Sequence, residues 1–210
     1  KNGEADNTIV IFMSDNGGYA TESGWRDEPL YTQNFPLKCG KGSAYEGGIR
    51  EPMIVRWPGT VQPGTRCNDY LIIEDFYPSI LEMAGIDDYD VPQEIDGISF
   101  VPLLKQTKNH SQGHSLYWNC PNIWGEKGPG IGPSCTIRKD NWKMIYFYET
   151  GEKELYDIPN DIEENNNVAA LYPQIINKLS KELGKFLRQT NGQRPSFKKT
   201  GKPCPWPDEI

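Results

Sequence analysis

The apolar run Ile9 to Met13 and the polar turn behind it constrain the fold more than any other stretch. Five consecutive apolar residues, three of them β-branched, predict a short strand that is buried on both faces. Ser14-Asp15-Asn16-Gly17-Gly18 follows at once, and its glycines allow a sharp turn. Ligands of open α/β sheets bind just beyond the carboxyl ends of strands. Asp15 and Asn16 are therefore the first candidate site residues.

The side chains of Asp15 and Asn16 offer oxygen atoms only. Carboxylate and amide oxygens are hard ligands that suit calcium or magnesium, whereas zinc more often takes imidazole or thiolate. Neither His nor Cys lies close to this pair in the sequence. The alternative interpretation is that Asp-Asn-Gly-Gly is turn chemistry alone, because each of these residue types favours loops for local reasons.

Lys41 is the candidate for binding an anion. It stands between Gly40 and Gly42, so a compact anion can reach its ammonium group without obstruction by neighbouring side chains.

The stretch as a whole resembles a known family. The similarity rests on the Ser-Asp-Asn-Gly-Gly turn, on Gly-Lys-Gly-x-x-Tyr-Glu-Gly-Gly-x-Arg-x-Pro from Gly40 to Pro52, and on Trp57-Pro58-Gly59. It continues at Asp75 to Gly85, Asp96 to Ser99 and Glu154 to Asp157, and it spans most of the chain. The chain resembles the C-terminal half of the sulfatase family, within the alkaline-phosphatase-like group of α/β hydrolytic enzymes.

The resemblance implies roles for three residues. Asp15 and Asn16 would bind one calcium ion, and Lys41 would be a catalytic residue that contacts the sulfate. Relatives that hydrolyse phosphate with two zinc ions place a His after the corresponding Asp, so Asn16 favours the single-calcium type. Calcium would polarise the sulfate oxygens and orient a formylglycine hydrate for attack at sulfur. Lys41 would offset the charge that builds as the alcohol leaves.

The family's nucleophile has no counterpart in this sequence. Formylglycine is made in a Cys/Ser-x-Pro-x-Arg motif of the N-terminal half, and Cys135-Thr136-Ile137-Arg138 lacks the proline. The chain also starts at Lys1 without Met or a signal peptide. We therefore expect a C-terminal portion of a longer enzyme that is inactive alone, with the missing N-terminal half as its partner.

Composition limits the kinds of partner and cellular location that fit this chain. A net charge of −7 argues against nucleic acid, and no apolar run approaches the roughly 18 residues that span a membrane. Five cysteines leave at least one unpaired. A Cys120–Cys135 bridge would suit a secreted, periplasmic or lysosomal enzyme, whereas buried thiols acting as small hydrophobes are the alternative.

The predicted fold class is α/β. We expect the end of an alkaline-phosphatase-like mixed sheet with flanking helices in residues 1–108. Residues 109–210 should form a subdomain with a small antiparallel sheet of about four strands and a helix. Its predicted elements are strands over 115–118, 135–138, 142–148 and 154–157 and a helix over 172–189. A helix over 75–84 should start at Asp75 and pack Phe76, Ile80 and Met83 on the sheet.

Two loops are candidates for contact with substrate. Trp25, Arg26 and Tyr31 lie in a long polar loop, although solvent-facing loop packing is the alternative. Trp124 could stack on a sugar and Lys127 could meet a second acidic group, or their segment is a plain surface loop. His110 and His114 are interpreted as surface or structural residues, although one of them could reach the leaving group.

The function implied by the resemblance is calcium-dependent hydrolysis of a sulfate ester, on a sulfated carbohydrate or an aryl compound. Two alternatives stay open at this point. One is a single-metal phosphodiesterase or phosphonate hydrolase of the same group, and the other is a protein that binds sulfated glycans without cleaving them.

Overall fold

The described chain forms two compact units. The computed structural model describes residues 2–20, 33–86, 88–106, 114–123 and 128–210. The first unit comprises Lys1–Met13 and Met53–His114, and the second comprises Ser14–Pro52 and Ser115–Ile210. All three candidate site residues therefore belong to the same unit as the C-terminal sheet. The predicted division between residues 108 and 109 differs from these units over residues 14–52 and 109–114. It stays a prediction of domain organisation.

A two-stranded antiparallel sheet lies in the first unit. Strand β1 (Val10–Met13) pairs with β2 (Met53–Arg56). The prediction that the first strand is buried on both faces is wrong for this chain, because Phe12 is 69% exposed and its cross-strand partner Ile54 is 65% exposed. Nothing in the described chain covers this apolar face of the sheet.

Helix α2 (Phe76–Met83) follows a 3-10 turn over Ile73–Asp75. The buried Asp75 carboxylate accepts the amides of Ile72 at 3.1 Å and Ile98 at 2.8 Å, so it joins two loops instead of capping α2 as predicted. Ile80 is half exposed, which contradicts its expected packing on a sheet. Phe76 packs edge-on against Phe100, next to the short helix α3 (Val101–Leu104).

The second unit contains the four-stranded antiparallel sheet that the sequence predicts. Its strands are β3 (Leu116–Cys120), β4 (Ser134–Lys139), β5 (Trp142–Phe147) and β6 (Lys153–Asp157), paired in chain order. The other helices are α1 (Glu46–Ile49) and α4 (Pro173–Gln189). The predicted sheet-plus-helix architecture is confirmed.

Helix α4 buries one face against this sheet. Pro173 occupies its first turn, where a missing amide hydrogen costs nothing. Leu179, Leu183 and Leu187 recur every four residues and share a core with Met144 and Leu155. This spacing places the three leucines on one stripe of the helix.

All five cysteines are free. Cys135 pairs with Asn119 across the β3–β4 ladder, and Cys120 pairs with Ser134. Because neighbouring positions on a strand point to opposite faces of the sheet, Cys120 and Cys135 lie on different faces, and the predicted bridge is absent. Among the described residues, no helix is both long and apolar enough to cross a membrane.

Candidate functional site

The turn after β1 carries the candidate cation ligands. Asp15 is exposed and Asn16 is half-buried. The hydroxyl of Ser14 donates to the carbonyl of Asn16 at 3.0 Å, and Asn16 Nδ2 donates to the carbonyl of Gly17 at 3.2 Å. Oδ1 is the atom that Asn16 can offer to a cation, because the amide nitrogen only donates hydrogen bonds.

The loop that carries Lys41 lies directly against this turn. The backbone amide of Lys41 donates to the carbonyl of Gly18 at 3.1 Å. The amide of Gly17 donates to the carbonyl of Gly48 in α1, also at 3.1 Å. The structure thus brings the backbones of the Asp15–Asn16 turn and of the Lys41 loop together, with α1 beside them. The chemical roles of the three side chains stay predictions.

Glycines make this close approach possible. A Cβ atom at Gly17 would lie 1.8 Å from the carbonyl oxygen of Gly47, and one at Gly48 would lie 2.2 Å from that of Ser43. A Cβ at Gly40 would lie 2.3 Å from the carbonyl oxygen of Gly18. Backbone therefore packs directly on backbone at these three positions, and a side chain larger than glycine would not fit. At Gly40 this is a second reason for glycine, in addition to the open approach that it gives to Lys41.

A second carboxylate, which the sequence analysis did not single out, stands near Asp15. Oε1 of Glu51 is buried and has no hydrogen-bond partner among the described residues. Burial, together with the negative charge of Asp15, raises the pKa of the Glu51 carboxyl group. The orphaned oxygen and the repulsion between the two carboxylates fit a site that a hard divalent cation balances.

The described residues do not complete a cation site by themselves. Within residues 2–20, 33–86, 88–106, 114–123 and 128–210, no group of three or more His, Cys, Asp or Glu residues could hold a metal ion. Asp15, Asn16 and Glu51 thus fit part of an oxygen-only coordination shell. Calcium takes six to eight oxygens, so further ligands must come from elsewhere.

A buried charge network underlies α1. The carboxylate of Glu46 lies 3.1 Å from Lys143 Nζ and 3.2 Å from Arg138 Nη1. Lys143 also pairs with Glu164 at 2.9 Å, and Glu164 Oε2 accepts the backbone amide of Glu46 at 2.6 Å. Strands β4 and β5 thereby hold the helix that follows the Lys41 loop.

The two carboxylates of this network have opposite pKa shifts. Burial works to raise the pKa of Glu46, but the positive charges of Lys143 and Arg138 outweigh it and hold that pKa below its usual value. For Glu164, burial exceeds the attraction of Lys143 and raises the pKa. Sequence reasoning missed the network, because its contacting residues are 21 to 118 residues apart in the sequence.

The β3–β4 connection contacts the loop that carries Lys41. Ser43 Oγ donates to the carbonyl of Pro129 at 2.9 Å, and the amide of Ala44 donates to that of Gly130 at 2.9 Å. The end of this connection therefore lies against the Lys41 loop. The proposed substrate residues Trp124 and Lys127, as well as Trp25, Arg26, Tyr31 and His110, lie outside the described residues.

His114 has a structural environment in the first unit. Its Nε2 lies 3.4 Å from Oδ1 of the fully buried Asp75, and its backbone carbonyl accepts the hydroxyl of Tyr70. These contacts agree with the interpretation of His114 as a structural residue.

Comparison with known proteins identifies the family. Residues 39–190 match the family model described as "N-sulphoglucosamine sulphohydrolase, C-terminal". A sulfatase of Formosa agariphila is 31% identical over 98% of this chain. An N-acetylglucosamine-6-O-sulfatase of Bacteroides thetaiotaomicron is 30% identical over 92%. This chain spans 37% and 32% of the lengths of these two relatives.

Solved structures give the same result. The structure of Ps i-CgsB in complex with k-i-k-neocarrahexaose superposes with a TM-score of 0.72 at 29% identity, over 88% of this chain and 37% of that one. A second solved structure, in complex with its substrate D-glucosamine-2-N,6-O-disulfate, gives a TM-score of 0.58 at 26% identity, over 90% and 35%. The chain therefore belongs to the sulfatase family, to whose C-terminal portion it corresponds.

Proposed function

We propose that the full-length protein is a calcium-dependent sulfatase that hydrolyses sulfate esters of a carbohydrate or an aryl compound. Family membership supports the reaction class. The observation that carries the residue roles is the hydrogen bond from the Lys41 amide to Gly18. This bond joins the oxygen-ligand turn to the loop that bears the candidate anion-binding ammonium group.

Asp15 and Asn16 hold part of the calcium site in this proposal. When bound, the cation supplies Lewis-acid polarisation of the sulfate oxygens. Asp15 provides a carboxylate oxygen and Asn16 provides Oδ1, while Nδ2 of Asn16 donates to the carbonyl of Gly17. Glu51 contributes a further negative charge beside Asp15, and this charge attracts a divalent cation to the site.

Lys41 is the catalytic residue that this chain contributes. Its ammonium group binds a sulfate oxygen or the bridging oxygen and offsets the negative charge that develops as the alcohol leaves. A carbonyl on the neighbouring turn fixes its backbone, and α1 with its buried ion pairs lies next along the chain. A fixed position matters because electrostatic stabilisation depends on groups that need not reorganise during the reaction.

The nucleophile in this proposal is a formylglycine in the N-terminal portion, so the isolated 210-residue chain has no turnover. The exposed apolar pair Phe12 and Ile54 favours contact with that portion. Apolar surface of this kind, left uncovered, commonly marks an interaction site.

A sulfated carbohydrate is the favoured substrate class. One relative is named an N-acetylglucosamine-6-O-sulfatase, and one similar structure holds a disulfated glucosamine. The β3–β4 connection is attached beside the Lys41 loop through Ser43 and Ala44. This attachment supports a substrate role for its central residues Trp124 and Lys127. Such a substrate agrees with a secreted, periplasmic or lysosomal enzyme.

Replacement of Lys41 tests the proposal. In the full-length protein, Lys41→Ala should lower kcat on a chromogenic aryl sulfate by at least about 10²-fold, whereas Lys178→Ala, at an exposed position of α4, should leave it unchanged. A rate for Lys41→Ala within twofold of wild type removes the catalytic role of Lys41.

Relative rates on different esters separate the reaction classes. Faster hydrolysis of a phosphate diester than of the matching sulfate ester would identify a phosphodiesterase instead. Binding of sulfated glycans without turnover would identify a binding protein. Trp124→Ala should weaken affinity for a sulfated sugar; unchanged affinity for every sugar tested removes that residue from the substrate site.

A further inference from the structure

The side chain of Asn34 lies where three backbone segments meet. Its amide nitrogen is 3.1 Å from the carbonyl oxygen of Gly18, 2.9 Å from that of Cys39 and 3.0 Å from that of Gly47. These carbonyls belong to the Asp15–Asn16 turn, to the loop two residues before Lys41, and to α1. A primary amide has two hydrogens, so the three acceptors share them.

One of these acceptors joins Asn34 to Lys41 directly. The carbonyl of Gly18 accepts both Asn34 Nδ2 at 3.1 Å and the backbone amide of Lys41 at 3.1 Å. The same oxygen also accepts the amide of Ala20 at 2.8 Å, so three donors share its two lone pairs. The side chain of Asn34 and the backbone of Lys41 are therefore fixed to the same atom of the turn that follows Asp15 and Asn16.

The second acceptor lies at an unusual backbone position. Cys39 has φ +60°, in the left-handed region that few residues other than glycine adopt. The bond from Asn34 to the carbonyl of Cys39 holds this conformation immediately before Gly40 and Lys41. Loss of the bond would let the segment relax toward ordinary dihedral angles and would move the residues that follow it.

The surroundings leave little room for another arrangement. A Cβ atom at Gly40 would lie 2.3 Å from the carbonyl oxygen of Gly18 and 3.0 Å from Asn34 Nδ2. Asn34 is half-buried, and the three carbonyl groups that its amide nitrogen contacts are all backbone groups. Only a donor satisfies this position, because an acceptor such as a carboxylate would face three carbonyl oxygens.

We propose that Asn34 is a positioning residue that fixes the location of Lys41 relative to the Asp15–Asn16 turn. This inference rests on the proposed function, because it assigns Asn34 a role in the same site. Asn34 acts through the position of Lys41 and does not itself touch the substrate. Its replacement should therefore lower kcat more than it changes KM, since a misplacement of about 1 Å can cost about 10²-fold in rate.

The test uses Asn34→Asp and Asn34→Ser in the full-length protein, with Gln33→Ala at the exposed neighbouring position as the matched control. Asn34→Asp keeps the size of the side chain and removes the donor, whereas serine retains one hydrogen to donate. We expect kcat per folded molecule to fall by about 10²-fold for Asp and by less for Ser, with KM within threefold of wild type. Circular dichroism and the melting temperature give the folded fraction.

A double variant gives a readout that a general loss of stability would not change. If Asn34 acts through Lys41, Asn34→Ser combined with Lys41→Ala should be no more than about twofold slower than Lys41→Ala alone, because residues that act as one unit are not additive. Multiplicative effects, or rates per folded molecule within twofold of wild type for both single variants, overturn the inference.

The outcome for Lys41→Ala separates the two proposals. If Lys41→Ala is fully active, the proposed function of this site fails. If Lys41→Ala is slow and the Asn34 variants match Gln33→Ala, only the positioning role of Asn34 fails.

Discussion

The ammonium group of Lys143 lies 2.9 Å from the carboxylate of Glu164, and neither side chain is exposed to solvent. Lys143 also reaches Glu46 at 3.1 Å, so one buried cation pairs with two buried anions. Removing a partner from such a group leaves an uncompensated charge in a poorly solvated place. The stability of α1, and of the Lys41 loop before it, therefore depends on β5.

Lys143→Met should be strongly destabilising. The change keeps much of the side-chain volume but leaves Glu46 and Glu164 buried without their shared cation, at a cost of about 3–5 kcal/mol. Urea unfolding monitored by tryptophan fluorescence measures the loss. Lys178→Met removes a lysine at an exposed position of α4 and should stay within about 0.5 kcal/mol of wild type. Equal midpoints for the two variants would contradict the role of the network.

Glu46 should contribute to the acid sensitivity of the protein. Its folded-state pKa lies below the ordinary value of 4.5 because Lys143 and Arg138 outweigh the effect of burial. The unfolded state then binds more protons than the folded state around that pH. This part of the stability is present above pH 4.5 and is lost as the pH falls through the folded-state pKa.

Unfolding free energies measured in steps between pH 6 and the acid limit of folding, on the order of pH 3, test this expectation. Glu46→Gln should make the decline on the acid side shallower, although the variant is less stable at neutral pH. Glu152→Gln, at an exposed position, should keep the wild-type slope. A wild-type slope for Glu46→Gln would refute the assignment.

Gly17→Ala should disrupt the candidate site. A Cβ atom at this position would lie 1.8 Å from the carbonyl oxygen of Gly47, so the turn and α1 would have to separate. We expect loss of sulfatase activity together with a lower melting temperature. Gly64→Ala is the control, because its Cβ meets no atom within 4 Å and only its φ of +77° resists alanine, at about 1 kcal/mol. Retention of full activity by Gly17→Ala would show that the two segments can move apart.

Leu183→Ala should cost about 2–5 kcal/mol. Leu183 is fully buried in the core between α4 and the four-stranded sheet, and alanine would leave a cavity there. Leu171→Ala, at a position that is 72% exposed, should be nearly neutral. Thermal unfolding monitored by circular dichroism compares the two variants, and equal melting temperatures would contradict this description of the core.

Calcium should stabilise the full-length protein through Asp15. A ligand at 100 times its Kd stabilises the folded state by about 2.7 kcal/mol, so removal by a chelator should lower the melting temperature and abolish turnover. Asp15→Ala should remove most of the calcium-dependent shift, and Asp88→Ala, which also changes an exposed acid, should retain it. An unchanged shift for Asp15→Ala would exclude Asp15 as a ligand.

Local patterns in the sequence predicted the C-terminal subdomain well. The four strands and the final helix appear close to their predicted bounds, because alternation, turn residues and leucine spacing are properties of neighbouring residues. The structure differs from the predictions where burial depends on contacts with residues distant in sequence. Ile80 and Phe12 are exposed although their patterns predict burial, since a pattern cannot show whether a covering layer is present.

The sequence by itself pointed to Asp15, Asn16 and Lys41 as candidates, because their motifs lie in one continuous stretch that resembles the sulfatase family. Only the tertiary structure showed that Asn34 joins three backbone segments and that Lys143 serves two carboxylates. It also showed that a buried oxygen of Glu51, close to Asp15, has no hydrogen-bond partner in the part of the chain that the structure describes. These features depend on which atoms folding brings within about 3 Å, and such proximity between distant residues leaves no periodic signal in the chain.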